Sequence, residues 1–355
     1  MKYDVLFGGV SFEHEISIVS AIAIKKILGE KIESFIFLDS EHRFYLIPAD
    51  SMKSKFFSSG AYKKCIELFV GQGGFYKKSF FGLNAITPHI VLNLIHGADG
   101  EDGSISALLD FYKIAFIGPR TESSVMSFNK ALTKLFARER GVKVLEYALL
   151  TREDSKNVED KLSNLKYPLI LKPARLGSSI GVSVVNEPKE IEYAMDLAFE
   201  YDDMILAEHF TSGIKEYNLA GCKVKSGAGS EFAYSIIEEP SKKELLDFEH
   251  KYLDFSRTSQ VLKADISPEL EAKIKESFTA LYENAFEGAL IRCDFFVIDN
   301  EVYLNEINPI PGSMANYLFE DFVSMVDSLA YSLPKKHNIN VSYKYIEQIH
   351  HAKGK

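Results

Sequence analysis

Four short, predominantly apolar runs, at residues 3–7, 35–38, 90–95 and 114–117, fall in the first third of the chain with helical patterns between them, broken only by Asp4 and Asn93. A strand wetted on one face alternates apolar with polar residues. A strand that is apolar throughout is covered on both faces, as in a parallel sheet flanked by helices. The chain therefore opens with an α/β domain. At 355 residues it is too long for one ordinary core and fits two or three domains.

Residues 15–28 form a helix candidate, and residues 121–140 a second, with Thr121 as cap and Gly141 as stop. The second opens a new domain. From Tyr167 the pattern turns to paired strands, residues 169–172 and 181–185, on either side of a small-residue loop. A helix capped by Asn186 before Pro188 follows, which makes a compact α+β module. Strands at 204–208 and 217–224 come next, then a helix announced by Ser267-Pro268 and ended by Gly288. A hairpin spans 290–308, and a last helix runs from about Met314 to Leu333, where Pro334 stops it.

Composition excludes several classes. With 46% hydrophobic and 26% charged residues the chain reads as a soluble globular protein, and no segment approaches the ~20 apolar residues that span a bilayer. The N-terminus lacks the apolar core of a secretory signal, so the expected location is the cytoplasm, with no membrane partner. A net charge of -9, with no concentrated Lys/Arg window, argues against nucleic acid. Cys65, Cys222 and Cys293 match no paired-ligand spacing and read as reduced, mostly buried thiols.

The most informative chemistry lies in Ile291-Arg-Cys-Asp-Phe-Phe-Val-Ile-Asp-Asn-Glu-Val-Tyr-Leu-Asn-Glu-Ile-Asn-Pro309. Strand periodicity puts Arg292 with Asp294, and Glu306 with Asn308, on common faces. A three-residue loop, or a bulge, brings Asp294 opposite Glu306; a plain two-residue turn separates them. Oxygen ligands of this kind suit magnesium. The bland alternative is a solvated charged hairpin, but Phe295, Phe296 and Tyr303 make the strands largely buried, where unpaired charge is costly.

A second element, Lys172-Pro-Ala-Arg-Leu-Gly-Ser-Ser-Ile-Gly181, is a Gly/Ser-rich loop able to wrap phosphate beside a lysine, though not a Walker A loop. Its Gly-x-Ser-x-Gly around Ser179 imitates a hydrolase nucleophile elbow. That elbow needs strand, turn, helix, and here a strand returns instead. A third, His96-Gly-Ala-Asp-Gly-Glu-Asp-Gly103, follows a buried strand at the sheet edge where ligands collect. The first strand likewise ends in Gly8-Gly9-Val-Ser-Phe-Glu13-His14-Glu15, without the Gly-x-Gly-x-x-Gly of a dinucleotide fold.

Together these segments resemble the D-alanine:D-alanine ligases of the ATP-grasp superfamily, over nearly the whole chain and in the family's order. The resemblance rests on Phe7-Gly-Gly-Val-Ser-Phe-Glu-His-Glu-Ile-Ser17, the His96 loop, Leu171-Lys-Pro with Gly177-Ser-Ser-Ile-Gly181, Lys251-Tyr252, Arg292-Cys-Asp294 and Asn305-Glu-Ile-Asn-Pro-Ile-Pro-Gly312.

It implies a three-domain ATP-grasp fold, α/β and α+β, with an N-terminal parallel-sheet substrate domain at 1–120, a central domain at 121–208 and a C-terminal catalytic domain at 209–355. It implies ATP held by Lys130, Lys172, Ser179, Glu208, Glu216 and Lys251, and two magnesium or manganese ions on Asp294, Glu306 and Asn308. Glu13 would hold the ammonium of the first D-alanine, with His96 beside its carboxylate. Ser178 and Tyr252 would tie the mobile loop over it, and Arg292 with the amide of Gly312 would stabilise the oxyanion. The product would be D-alanyl-D-alanine for peptidoglycan, made through an acyl phosphate by a homodimer whose apolar first helix, residues 16–27, suits pairing.

The chain departs from the family pattern twice. The spacing from Glu208 to Glu216 is one residue longer, and Tyr317 stands where the family has a serine for the second D-alanine. Rival readings are a D-alanine:D-lactate type or other ATP-grasp ligase, and a nucleotide-binding regulator without turnover. Every expected metal position is present, which argues against the regulator.

Overall fold

The computed structural model describes residues 1–227, 229–240, 263–335 and 339–353. The expected strands Tyr3–Gly8 (β1), Ile32–Leu38 (β2), Ile90–Asn93 (β7) and Phe116–Ile117 (β8) form a parallel core. On the far side of β2 the sheet continues antiparallel through Phe44–Ile47 (β3), Ile66–Gly71 (β4), Gly74–Ser79 (β5) and Gly82–Ala85 (β6), giving eight strands in the order β6-β5-β4-β3-β2-β1-β7-β8. The N-terminal sheet is thus mixed rather than purely parallel. In the extension β6 is exposed along its length and β4 at half of its residues, while the apolar run of β3, Phe-Tyr-Leu-Ile, was missed by sequence reading.

The helix His14–Leu28 (α1) buries Ile16, Ile18, Ala21, Ile24 and Leu28 inside the chain, so these apolar positions serve the intramolecular core. The helix Ser104–Phe111 (α2) closes the loop that begins at His96. Because Tyr3 donates to Asp327 at 2.6 Å and Lys31 pairs with the same carboxylate at 2.8 Å, this domain is clamped to the C-terminal part of the chain.

The helix expected at 121–140 is two helices, Thr121–Phe128 (α3) and Lys130–Glu139 (α4). Asn129 is the cause: its backbone is extended, and its side chain caps α4 by accepting from the amides of Ala131 and Leu132. The break puts Lys130 at the first turn of α4 rather than mid-helix. The short strand Lys143–Val144 (β9) joins the third sheet. The second sheet has the order β10-β13-β11-β12, from Tyr147–Thr151 (β10), Leu169–Pro173 (β11), Ser183–Val185 (β12) and Met204–His209 (β13), with the helix Ile191–Phe199 (α5) over it. As β12 returns antiparallel to β11, the Ser179 segment is strand, turn, strand, which removes the hydrolase elbow.

The third sheet, β15-β14-β16-β17-β9, comprises Lys215–Ser226 (β14), Gly229–Glu238 (β15), Ile291–Ile298 (β16) and Glu301–Asn308 (β17), plus β9. The helix Pro268–Tyr282 (α6) has Ser267 as its cap, and ends at Tyr282 instead of running to Gly288. The last expected helix also starts later, as Phe322–Tyr331 (α7). Residues 312–318 form a tight turn in which Ser313, Met314 and Ala315 all take left-handed backbone angles, φ of 49°, 54° and 47°. Each such L-residue costs ~1–2 kcal/mol, so contacts elsewhere must hold the turn in place.

Candidate active site

The acidic hairpin is built with a two-residue turn, Asp299-Asn300, both at positive φ, in the primed geometry that suits tight hairpins. A bulge between Asp294 and Phe295 then shifts the register by one residue. Phe295 faces Leu304, but Asp294 faces Glu306 and Arg292 faces Asn308. Of the two routes that sequence periodicity leaves open, the chain takes the bulge.

Asp294 is almost fully buried and receives a bidentate fork from Arg292, Nε at 2.7 Å and Nη2 at 2.8 Å, while Asn308 donates to it at 3.0 Å. Burial alone would lower the pKa of the Arg292 guanidinium, yet the fork onto Asp294 holds it well above its ordinary value. Two carboxylates and an amide are an oxygen donor set. They fit magnesium or manganese, which take one or two carboxylates and fill their remaining positions with phosphate oxygens and water. Among the described residues no group of three or more His, Cys, Asp or Glu side chains is placed to hold a metal, so Asp294 and Glu306 with Asn308 are a partial shell.

Lys130 connects this hairpin to the loop opposite. Its Nζ donates to the carbonyl of Leu176 at 2.5 Å and lies 4.0 Å from Glu306. Burial, and secondarily nearby Lys172, lower its pKa against the pull of Glu306. Lys172 reaches Asn305 at 3.4 Å and Glu208 at 2.5 Å. On its other oxygen Glu208 meets Lys134, also at 2.5 Å. Burial would raise the Glu208 pKa, but the two lysines outweigh it and leave the carboxylate below its ordinary range. Lys134 was missed by sequence reading. Its signal was available, since it sits four residues beyond Lys130 on the same helix face.

At the edge of the first sheet Ser11 stitches two loops together, donating to the carbonyl of His96 at 2.7 Å and accepting the Glu13 amide at 3.1 Å. The Glu13 carboxylate accepts from the Ser178 hydroxyl, so the N-terminal domain and the Gly/Ser loop touch at this point. Burial, with Glu101 nearby, raises the pKa of Glu13; Ser178, His96 and Lys130 pull the other way. Gly97 and Gly177 flank the same carboxylate, and a Cβ at either would lie 3.0 Å from its oxygens. Ser178 and Ser179 both sit at positive φ, in a turn closed by the Ile180 amide on the Gly177 carbonyl.

Burial drives the pKa of His96 down to about 4, so its ring is neutral near pH 7. Its Nδ1 lies 3.6 Å from Glu101, whose own pKa is pushed up to about 8, first by burial and then by Glu306 and Asp102. Glu101 lay inside a motif read from the sequence, but nothing in its spacing announced this burial. Glu216 lies on β14 opposite Phe296, on a different sheet from Glu208. Tyr317 packs on Ala220, Ala315 and Leu318 beside Arg292. Lys251 and Tyr252 lie outside the described residues. Cys65, Cys222 and Cys293 are free thiols, the last two buried.

Buried lysines between two sheets, an acidic hairpin on one and a Gly/Ser loop on the other, define an ATP-grasp ligase. Residues 2–119 match the family described as D-ala D-ala ligase N-terminus, and residues 136–326 the one described as D-ala D-ala ligase C-terminus. A D-alanine–D-alanine ligase of Helicobacter hepaticus is 74% identical over 355 residues, the whole of both chains. The crystal structure of D-alanine-D-alanine ligase from Helicobacter pylori superposes with a TM-score of 0.85 at 52% identity, covering 95% of this chain and 100% of that one. That of VanG D-Ala:D-Ser ligase from Enterococcus faecalis gives 0.75 at 25% identity, covering 92% and 98%.

The chain belongs to the D-alanine–D-alanine ligase family. Use of ATP and a divalent metal comes with that membership. Among the described residues no helix is long and apolar enough to cross a membrane.

Proposed function

We propose that this chain joins two D-alanine molecules to D-alanyl-D-alanine for peptidoglycan, in the cytoplasm and as a homodimer, through a D-alanyl phosphate. A carboxylate is a poor acyl donor. Its oxygen therefore first attacks the γ-phosphate of ATP and releases ADP; the amine of the second D-alanine then attacks the acyl carbon, and phosphate leaves. The observation that carries this reading is the Lys130 bridge between the Glu306 hairpin and the Gly/Ser loop at Leu176, with Glu13 bonded to Ser178 two residues further along that loop.

Glu13 takes the ammonium of the first D-alanine, and His96 lines its carboxylate pocket as a neutral ring. Ser178 anchors the loop that keeps water from the acyl phosphate, with Tyr252 assigned to the same lid. Lys130, Lys172, Ser179 and Lys251 serve the phosphates, and Glu208 and Glu216 the adenosine end. Two magnesium or manganese ions on Asp294, Glu306 and Asn308 would neutralise charge on the transferring phosphoryl oxygens. Arg292 and the Gly312 amide face the oxyanion of the tetrahedral intermediate.

The functional division proposed is substrate domain 1–120, central domain 121–208 and catalytic domain 209–355. A relative named for D-serine shares the fold, so the second substrate is set by side chains such as Tyr317 rather than by architecture. The test is to measure ADP, phosphate and dipeptide together across D-alanine, D-serine, D-lactate and L-amino acids. Dipeptide should form in step with ADP from D-alanine, and its absence at saturating D-alanine defeats the reading.

A further inference from the structure

The hydroxyl of Ser20, buried in the middle of α1, is touched by two segments remote in sequence. It accepts the backbone N–H of Ser313 at 3.0 Å and lies 2.9 Å from Nε2 of His96. A serine hydroxyl has one hydrogen to give. With the Ser313 amide as donor, the hydroxyl is free to give its hydrogen to His96 Nε2, an arrangement that places the imidazole proton on Nδ1, the nitrogen 3.6 Å from Glu101. Ser313 immediately follows Gly312 and begins the three left-handed residues, so its amide is a direct restraint on a strained turn. The other bonds at that turn come from inside it, Met314 amide to Pro311 carbonyl at 2.7 Å and Asn316 side chain to Ser313 carbonyl at 2.8 Å.

We propose that Ser20 is a positioning residue for the ligation: by taking the Ser313 amide hydrogen and giving its own to His96 Nε2, it fixes the substrate-pocket histidine and the Gly312–Ser313 turn in one frame. This rests on the site reading above, in which His96 faces the first D-alanine and the Gly312 amide faces the oxyanion. The consequence is specific. Loss of the hydroxyl loosens the turn and releases the histidine tautomer, while the nucleotide end, built by Lys172, Lys134 and Glu208, is untouched.

The experiment uses the full-length protein labelled with 15N-histidine, with the His96 signals assigned by difference from His96→Gln. Near pH 7 the wild type should show a neutral ring with a bare Nε2 and a proton on Nδ1; a protonated Nε2 overturns the proposal whatever any variant does. Ser20→Ala, checked for wild-type thermal unfolding, should shift the ring away from that tautomer. It should also lower kcat by about ten- to a hundredfold, with KM for ATP within about twofold. An unchanged tautomer, unchanged kcat, or a KM for ATP that rises in parallel overturns it. Full activity in His96→Gln would instead defeat the underlying site reading, even with the wild-type tautomer as expected.

Discussion

Lys134→Met tests the least expected part of the nucleotide end. The Lys134 ammonium is only 1% exposed and meets Glu208 at 2.5 Å, while Lys172 holds the other carboxylate oxygen at the same distance. Removing one partner of a buried pair typically costs ~3–5 kcal/mol, because a buried charge is left unmatched. Here Lys172 remains, so the expected loss is below that range, about 2 kcal/mol. The larger effect should appear when phosphate competes for Lys172, as a rise in KM for ATP of about tenfold or more.

Urea unfolding and ATP kinetics on Lys134→Met, Glu208→Gln and the double variant would measure this. The coupling energy should exceed ~1 kcal/mol, since Glu208→Gln alone leaves two buried lysines facing each other whereas the double variant leaves Lys172 by itself. The Glu208 pKa is depressed in the folded state, so its stabilisation is full above the ordinary glutamate range and is lost as pH falls through the lowered value. An unmoved urea midpoint, an unmoved KM for ATP and additive variants would refute the argument.

Glu306→Gln keeps shape but removes one metal-binding charge, and turnover should fall at least about a hundredfold; near-normal turnover at ordinary magnesium would count against the ligand set. Tyr317→Ser should lower the Michaelis constant for the second D-alanine by up to about tenfold and leave the first little changed. If only thermal stability drops, Tyr317 is a packing residue. Glu101, raised to about 8 by burial, contributes stability that is complete below the ordinary glutamate range and lost as pH rises through 8. Glu101→Gln should flatten that decline between the ordinary glutamate range and about pH 8 in an unfolding series, and an unchanged profile would show that Glu101 is not so raised.

The elements whose evidence is local were legible in the sequence. Apolar runs marked β1, β2 and β7, and period-two spacing put Arg292 with Asp294 and Glu306 with Asn308, because side-chain direction follows from backbone repeat alone. Helix starts with a strong chemical cap, such as Ser267 before Pro268, were equally readable. Asn129 shows the limit. Its capping bond competes with helix continuation, and only packing of α4 on the third sheet decides between them. The antiparallel extension is a mixed case, since β3 is an apolar Phe-Tyr-Leu-Ile run while β6 is exposed along its length.

What the sequence by itself determined is the order of elements, the residue types at each strand end, and the motifs that carry the family resemblance. The tertiary structure alone decided the register that sets Asp294 against Glu306, the Lys134–Glu208–Lys172 cluster, and the meeting of Ser20, His96 and Ser313 on one hydroxyl. The reason is physical. A one-residue bulge reverses which side chains face each other without any local compositional sign, and contacts across dozens to hundreds of residues depend on the packing of whole sheets and helices, which no short window of sequence contains.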